Sequence, residues 1–264
     1  MDLKGRTILL TGASGGIGRA TALRLARRGA RMALFARREE PLRALAKEIE
    51  GADGHALAIP GDVRSAVEVY KAIVETTARF GRIDALVNNA GVAHLKGVAE
   101  ATDDEIQQQL DVNLVGAIRM TRAVLPALKA RRGSAIVNVA SFAGRIGAPY
   151  YSYYNASKFG LVGLTEAWRR ELRTLGIRVS LVMPAAVETE FLDRAGRERA
   201  LGVGPAGTVI APESVAAAIE RALRRHSAEI YLPARNHWLA VLNVAAPALS
   251  DRIVNALFRY PRRS

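Results

Sequence analysis

Thr7-Ile8-Leu9-Leu10-Thr11-Gly12-Ala13-Ser14-Gly15-Gly16-Ile17-Gly18 is a short apolar strand running into a glycine-rich turn, and a helical pattern continues from it to about Arg28. A strand, a glycine turn and a helix start in that order form an anion site. Backbone N–H groups and the helix dipole point at a phosphate, and the missing side chains let the ligand come close. The gap from Gly12 to Gly16 is longer than in G-x-G-x-x-G, so the turn is a variant of the common dinucleotide fingerprint. Gly12, Ser14, Gly16, Ile17 and Gly18 are its cofactor-binding candidates. Taken alone, the turn also fits a tight strand-to-helix connection with no ligand.

A second strand follows over Arg31–Ala36 and ends Leu34-Phe35-Ala36-Arg37-Arg38. The residue at this strand end meets the adenosine ribose in dinucleotide-binding sheets. An acidic side chain there would take the 2′-hydroxyl of NAD. Arg37 and Arg38 instead suit a 2′-phosphate. The expected cofactor is therefore NADP(H) in preference to NAD(H), with NAD(H) still admitted. Solvated charge at a helix start is the competing reading in so Arg-rich a chain.

Further along, Tyr154 and Lys158 stand four residues apart, and Ser141 lies thirteen residues before Tyr154. On a helix an i, i+4 pair shares one face, so phenol and ammonium can address one point. A phenol titrates near ~10, and a close cation lowers that value. Three pH units would require ~4 kcal/mol. With a Ser hydroxyl holding the reacting oxygen, the set suits interconversion of an alcohol and a carbonyl. Alone, Tyr-x-x-x-Lys also occurs by chance in helices.

Thr11–Gly18, Asn88-Asn89-Ala90-Gly91, Asn113, Ser141 and Tyr154-x-x-x-Lys158 occur in that order. Their joint order and spacing resemble the short-chain dehydrogenase/reductase family over about residues 4 to 232. The resemblance implies that Tyr154 is the general acid/base. Lys158 would lower its pKa and bind the nicotinamide ribose, and Ser141 would orient and polarise the substrate oxygen. Asn113 would hold a water in a proton relay through Lys158. Asp62 and Val63 would contact adenine, Asn89 would lie along the cofactor, and Val187 and Thr189 would meet the nicotinamide end. Pro184-Ala185 departs from the family's usual Pro-Gly and bears on the substrate pocket.

Apolar runs and helical patterns alternate. Further strands are predicted at about 54–59, 84–87, 134–140, 177–183 and 228–232, and helices at about 39–50, 65–79, 103–130, 151–174 and 212–225. The fold class is α/β, a doubly wound parallel sheet of Rossmann type. Gly12, Asp62, Asn89, Ser141 and Pro184 all follow predicted strands, where such sheets bind ligands. Residues 1–233 form the dinucleotide-binding and catalytic domain, and 188–211 break the alternation as a substrate lid. Phe191 and Leu192, with Leu95, Phe142, Tyr150 and Tyr151, suggest a partly apolar pocket. Arg145 can meet an anionic substrate or be solvated.

The chain has 264 residues, 38 basic against 25 acidic, no Cys and four scattered His. Neither a disulfide nor a metal site is expected, although His94 can approach the active-site mouth. The net charge of +13 comes without a nucleic-acid reader motif, so no nucleic-acid partner is expected. Met1-Asp2-Leu3-Lys4-Gly5 leads straight into the first strand, and the expected location is cytoplasmic. Residues 234–264 form an apolar and basic extension. It fits packing on the domain, a homodimer or homotetramer interface, or peripheral contact with an anionic membrane.

The resulting reading is an NADPH-dependent reductase of a small-molecule carbonyl/secondary alcohol pair. The rivals are a catalytically silent nucleotide-sensing protein, marked by loss of Tyr, Lys or Ser, and a membrane-surface protein, marked by vesicle binding and NADPH binding without turnover. All three residues are present.

Overall fold

Strands that are apolar along their whole length must be covered on both faces, and a parallel sheet wrapped by helices does this. In the computed structural model, which describes residues 1–193, 195 and 209–257, the strands are β1 (Thr7–Thr11), β2 (Arg31–Ala36), β3 (His55–Pro60), β4 (Ala85–Asn88), β5 (Ala135–Val139), β6 (Arg178–Pro184) and β7 (Glu229–Leu232). They form one sheet in the order β3-β2-β1-β4-β5-β6-β7, and every pairing is parallel. The chain reverses direction across the sheet between β1 and β4, which is the topological switch.

Between the strands run α1 (Gly16–Ala26), α2 (Glu39–Glu50), α3 (Ala66–Phe80), α4 (Asp103–Leu110), α5 (Gly116–Lys129), α6 (Ser152–Glu171) and α7 (Pro212–Arg225). On one face Leu25 of α1, Leu45 of α2 and Ile219 of α7 pack on Ile8, Leu34 and Val137. On the other, Val69 of α3 and Val124 of α5 pack on Leu9, Phe35 and Ile136. Leu161 and Val162 of α6 meet Leu181 and Met183.

The predicted helix over 103–130 is interrupted by a π-helical turn at Asp111–Val115. Two contacts favour the widening. Gly116 lies so close to Val63 that a methyl there would come within 2.7 Å of Val63 Cγ2. Asn113 is turned inward onto the backbone of Val92. Such turns recur at functional sites.

The carboxyl ends of β4 and β5 are braced by buried amides. Asn88 Nδ2 donates to Asn138 Oδ1 (2.8 Å) and Thr121 Oγ1 (3.1 Å), and Asn138 Nδ2 donates to Thr165 Oγ1 (2.9 Å). After β7, α8 (Asn236–Ala245) and α9 (Pro247–Leu257) fold back on the domain. Leu239, Ala240 and Val254 pack against Phe142, Ile146 and Tyr231, and Asn243 Nδ2 donates to the Arg145 carbonyl at 3.2 Å. Among the described residues no helix is long and apolar enough to cross a membrane, and no His, Cys, Asp and Glu cluster could hold a metal.

Candidate active site

The residues predicted to follow the strands meet at the sheet's carboxyl edge. Gly12, Asp62, Asn89, Ser141 and Pro184 line one cavity of about 440 Å³, joined there by Ser14, Gly16, Ile17, Gly18, Arg37 and Arg38 at one end and Tyr154 and Lys158 at the other. Val63, Val187 and Thr189 also line it, as does His94.

The glycine turn is held by tight backbone approaches. Gly12 has φ +67°, and a methyl on it would stand 2.8 Å from Ala90 Cα. A methyl at Gly18 would collide with the Gly12 carbonyl. Asn89 secures the turn from the next strand, its Nδ2 donating to the carbonyls of Thr11 (3.0 Å) and Gly12 (3.2 Å). The Thr11 hydroxyl accepts from the backbone of Asn89 and Ala90, both at 3.0 Å. Asn89 therefore shapes the turn as well as bordering the cavity.

Arg38 closes over this turn. Its Nε and Nη2 donate to the hydroxyl and carbonyl of Ser14 (3.3 and 3.2 Å), and Nη1 pairs with Glu190 Oε2 at 2.8 Å. A methyl on Gly15 would come within 2.5 Å of Arg38 Nη2. Thr189 rests its methyl over Gly16, so residues 189 and 190 lie against the glycine turn. Most of the predicted lid (194 and 196–208) lies outside the described residues. Arg37 is exposed. Burial acts to raise the Asp62 pKa, but hydrogen bonds from Arg64 and the nearby charges of Arg64 and Arg37 hold it below the usual carboxylate value.

At the inner end, Ser141 Oγ accepts from the Ala143 N–H (3.1 Å) and hydrogen-bonds the Tyr154 phenol. Lys158 Nζ donates to the Val139 carbonyl at 3.3 Å and sits 5.7 Å from the Tyr154 ring centre. Asn113 receives the Val92 N–H at 2.8 Å and donates to the Val92 carbonyl (2.9 Å) and Ser157 Oγ (3.0 Å). A methyl on Gly91 would stand 3.3 Å from Asn113 Oδ1 and 3.7 Å from Lys158 Nζ, so this glycine keeps open the space beside both.

The electrostatics correct one expectation. The sequence reading lowers the Tyr154 pKa through Lys158, whereas burial pushes it up to about 12, with the Ser141 bond offsetting part of the rise. Lys158 is itself pushed down to about 8 by burial. Both groups are buried, and a low-dielectric site disfavours both charged forms. Tyr154 is enclosed by Tyr151, edge-on at 6.0 Å between ring centres, and by Phe191 at 6.3 Å. At neutral pH it holds its proton.

Arg145 does not face the cavity and is not simply solvated. It bonds Glu166 at 2.8 Å and Glu229 at 2.7 Å. Ala185, where the resemblance leads one to expect glycine, lines the cavity. Leu95, Phe142, Tyr151, Phe191 and Leu192 give that end an apolar wall, and Tyr150 packs against it with φ +66°.

Several positioning residues carry no sequence signal. Asn155 accepts the Ala148 N–H at 3.1 Å, donates to the Ile146 carbonyl at 2.9 Å and also reaches the Ala143 carbonyl. It thus ties the loop that carries Ser141 to the helix that carries Tyr154. Ser157 donates to the Tyr154 carbonyl at 2.8 Å and links that helix to Asn113. Adjacency to Tyr154 and Lys158 is the only hint at either.

Comparison with known proteins agrees with this arrangement. The family model described as short chain dehydrogenase matches residues 6–200. The 3-oxoacyl-acyl-carrier-protein reductase FabG of Thermotoga maritima is 36% identical over 222 residues, covering 83% of this chain and 90% of that protein. Ketoacyl reductase HetN of a Nostoc species is 34% identical over 260 residues, 98% of this chain and 90% of that protein. A short-chain dehydrogenase from Burkholderia cenocepacia, solved in complex with NADP, superposes with a TM-score of 0.79 at 31% identity, covering 88% of this chain and 97% of that one. The chain belongs to the short-chain dehydrogenases, NAD(P)-dependent oxidoreductases that interconvert a carbonyl and an alcohol.

Proposed function

We propose that this enzyme is an NADPH-dependent reductase of an apolar carbonyl substrate, with a 3-oxoacyl thioester as the first candidate. One observation carries the reading. A single cavity runs from a glycine turn guarded by Arg37 and Arg38 to a buried Ser141–Tyr154–Lys158 cluster. The cradle suits a dinucleotide, because the glycines of the turn leave its backbone open to a phosphate and Arg37 and Arg38 at the end of β2 suit a 2′-phosphate. Arg38 would exchange Glu190 for that phosphate. Asp62 and Val63 would border the adenine, Asn89 would fix the turn, and Val187 and Thr189 would flank the nicotinamide end. When bound, the dihydronicotinamide supplies a hydride.

Ser141 holds the substrate oxygen and stabilises its developing charge. Tyr154, protonated at neutral pH, donates its proton to that oxygen. Lys158 stands beside Tyr154 and offsets the negative charge left on the phenolate, and a water between Lys158 and Asn113 would return the proton. Holding acid and carbonyl in fixed geometry removes much of the entropic barrier.

The apolar wall and the relatives' names support the acyl substrate. The net charge of +13 favours an acidic carrier. A cytoplasmic setting and a homodimer or homotetramer complete the proposal. The test is NADPH and NADH oxidation against a carbonyl panel that includes 3-oxoacyl thioesters, with Tyr154→Phe as control. Turnover with NADPH that vanishes in the variant supports the reading. Turnover that survives it, or a consistent preference for NADH, refutes it.

A further inference from the structure

Isolated exposed apolar side chains are ordinary, but a contiguous group calls for a partner. Eleven large hydrophobic residues are exposed among the described ones, and four of them, Trp238, Val241, Val244 and Leu249, fall within twelve residues of α8 and the start of α9. Trp238 is 71% exposed and Val244 82%. Ala245, Pro247 and Ala248 between them are exposed as well, and residues 238–250 contain no charged side chain. The opposite side of the same helices is packed, with Ala240 and Leu239 against Phe142 and Ile146. Self-packing therefore accounts for one side of the extension and leaves the other uncovered.

We propose that the outer face of α8–α9 docks on the surface of an anionic lipid bilayer. Three features choose this occupant over a second copy of the chain. The apolar strip is bordered by basic residues: Arg235 precedes it and Arg252 follows it, both exposed, against the single acid Asp251. The sequence adds Arg259, Arg262 and Arg263 beyond. That charge complements anionic headgroups, whereas an isologous contact between two copies would set the same basic border against itself. At 10 and 11 residues, α8 and α9 are too short to span a bilayer, and an apolar strip with a basic border and an exposed Trp suits a helix pair lying in the interface. Val254 of α9 also packs into the apolar cluster that holds Tyr151 and Leu192. One helix thus joins the docking face to the substrate wall. The inference does not depend on the carbonyl reading.

The test is co-sedimentation of the full chain with vesicles of equal parts phosphatidylglycerol and phosphatidylcholine, and with phosphatidylcholine alone. Binding to the anionic vesicles is expected to be about tenfold or more tighter than to the neutral ones, and to weaken in high salt. Trp238→Glu/Val244→Glu should abolish it while reduction of a water-soluble ketone is kept. Arg235→Glu/Arg252→Glu, which leaves the apolar strip intact, should remove the preference for anionic lipid. No sedimentation, equal binding to both vesicles, or binding retained by the Trp238/Val244 variant would overturn the proposal. So would dissociation of an oligomer by that variant without any vesicle binding, since the face would then join copies of the chain.

Discussion

Lys158→Met should make the cofactor-free protein more stable and inactive. Lys158 is 4% exposed, and burial brings its pKa from 10.5 to about 8. At 1.36 kcal/mol per pH unit, keeping it charged in the folded state costs roughly 3 kcal/mol. Met fills a similar volume with nothing to desolvate. It also leaves the Val139 carbonyl, which Lys158 Nζ meets at 3.3 Å, without its donor, a loss of about 1 kcal/mol. Near pH 6 the variant should gain about 2 kcal/mol, or roughly 4–8 °C in Tm for a chain of this size. The sign of the pH dependence follows from the depressed pKa. Between about 8 and 10.5 the unfolded chain binds the proton and the folded one does not, so wild-type stability improves relative to the variant as pH rises. Around pH 9.5 the cost has fallen to about 1 kcal/mol and nearly cancels the lost hydrogen bond. Urea unfolding of both proteins at the two pH values, without cofactor, measures this directly. A variant less stable near pH 6, or a gain independent of pH, would refute the assignment of Lys158 as a desolvated cation.

Other groups give independent tests. Tyr154→Phe should lower kcat by about 10²–10⁴-fold and leave NADPH affinity, read by fluorescence titration, within a factor of a few. Arg38→Ala should raise the KM for NADPH by roughly ten- to a hundredfold, the worth of a charge-assisted contact, and leave NADH unaffected. Glu190→Gln, which removes the exposed 2.8 Å pair, should improve NADPH binding by no more than a fewfold. Asp84 is buried among Arg6, Arg82 and the Thr7 N–H. Burial alone would raise its pKa, but those hydrogen bonds hold it below 3.8. Its contribution is present above the unfolded value of about 3.9 and is lost as pH falls through the folded one. Asp84→Asn should therefore cost about 2–4 kcal/mol at pH 7 and progressively less below pH 4 in urea unfolding.

What the sequence revealed was what depends on local order. Strand runs, the glycine turn and Tyr154-x-x-x-Lys158 are local patterns, and the structure places each of them within a residue or two of its predicted position. Convergence at one edge followed from the alternation of strands and helices alone. Contacts set by packing were not legible. The Arg38–Glu190 pair spans 152 positions. Nothing in 103–130 announces the π turn, because Gly116 meets Val63 from another part of the chain. The direction of the Tyr154 shift was missed because spacing gives the distance to a cation but not the burial of the phenol. Arg145 was misread for the same reason, since its acids come from α6 and β7.

The two edges of the sheet divide stability and chemistry between them. At the amino edge, Asp84 satisfies two arginines and the Thr7 N–H, while its own N–H donates to the Thr7 carbonyl at 2.8 Å and its carbonyl accepts from Ala135 at 3.1 Å. That ties β1, β4 and β5 together with the Asp84 charge paired. The carboxyl edge holds the opposite inventory: a desolvated lysine, a phenol pushed to about 12, and Tyr150 in a left-handed conformation. At neutral pH the lysine and the left-handed Tyr150 each oppose folding by an amount on the order of 1–3 kcal/mol, whereas the phenol, protonated in the folded and unfolded chain alike, costs stability only as pH rises past its unfolded value of about 10. Such a site persists only where the surrounding structure fixes it, and here the fixing groups are the Asn88–Asn138–Thr165 chain beneath it and Asn155 behind it. Those amides touch none of the reacting atoms, yet they hold the Ser141 loop against α6 and keep a charged lysine and a neutral phenol buried side by side.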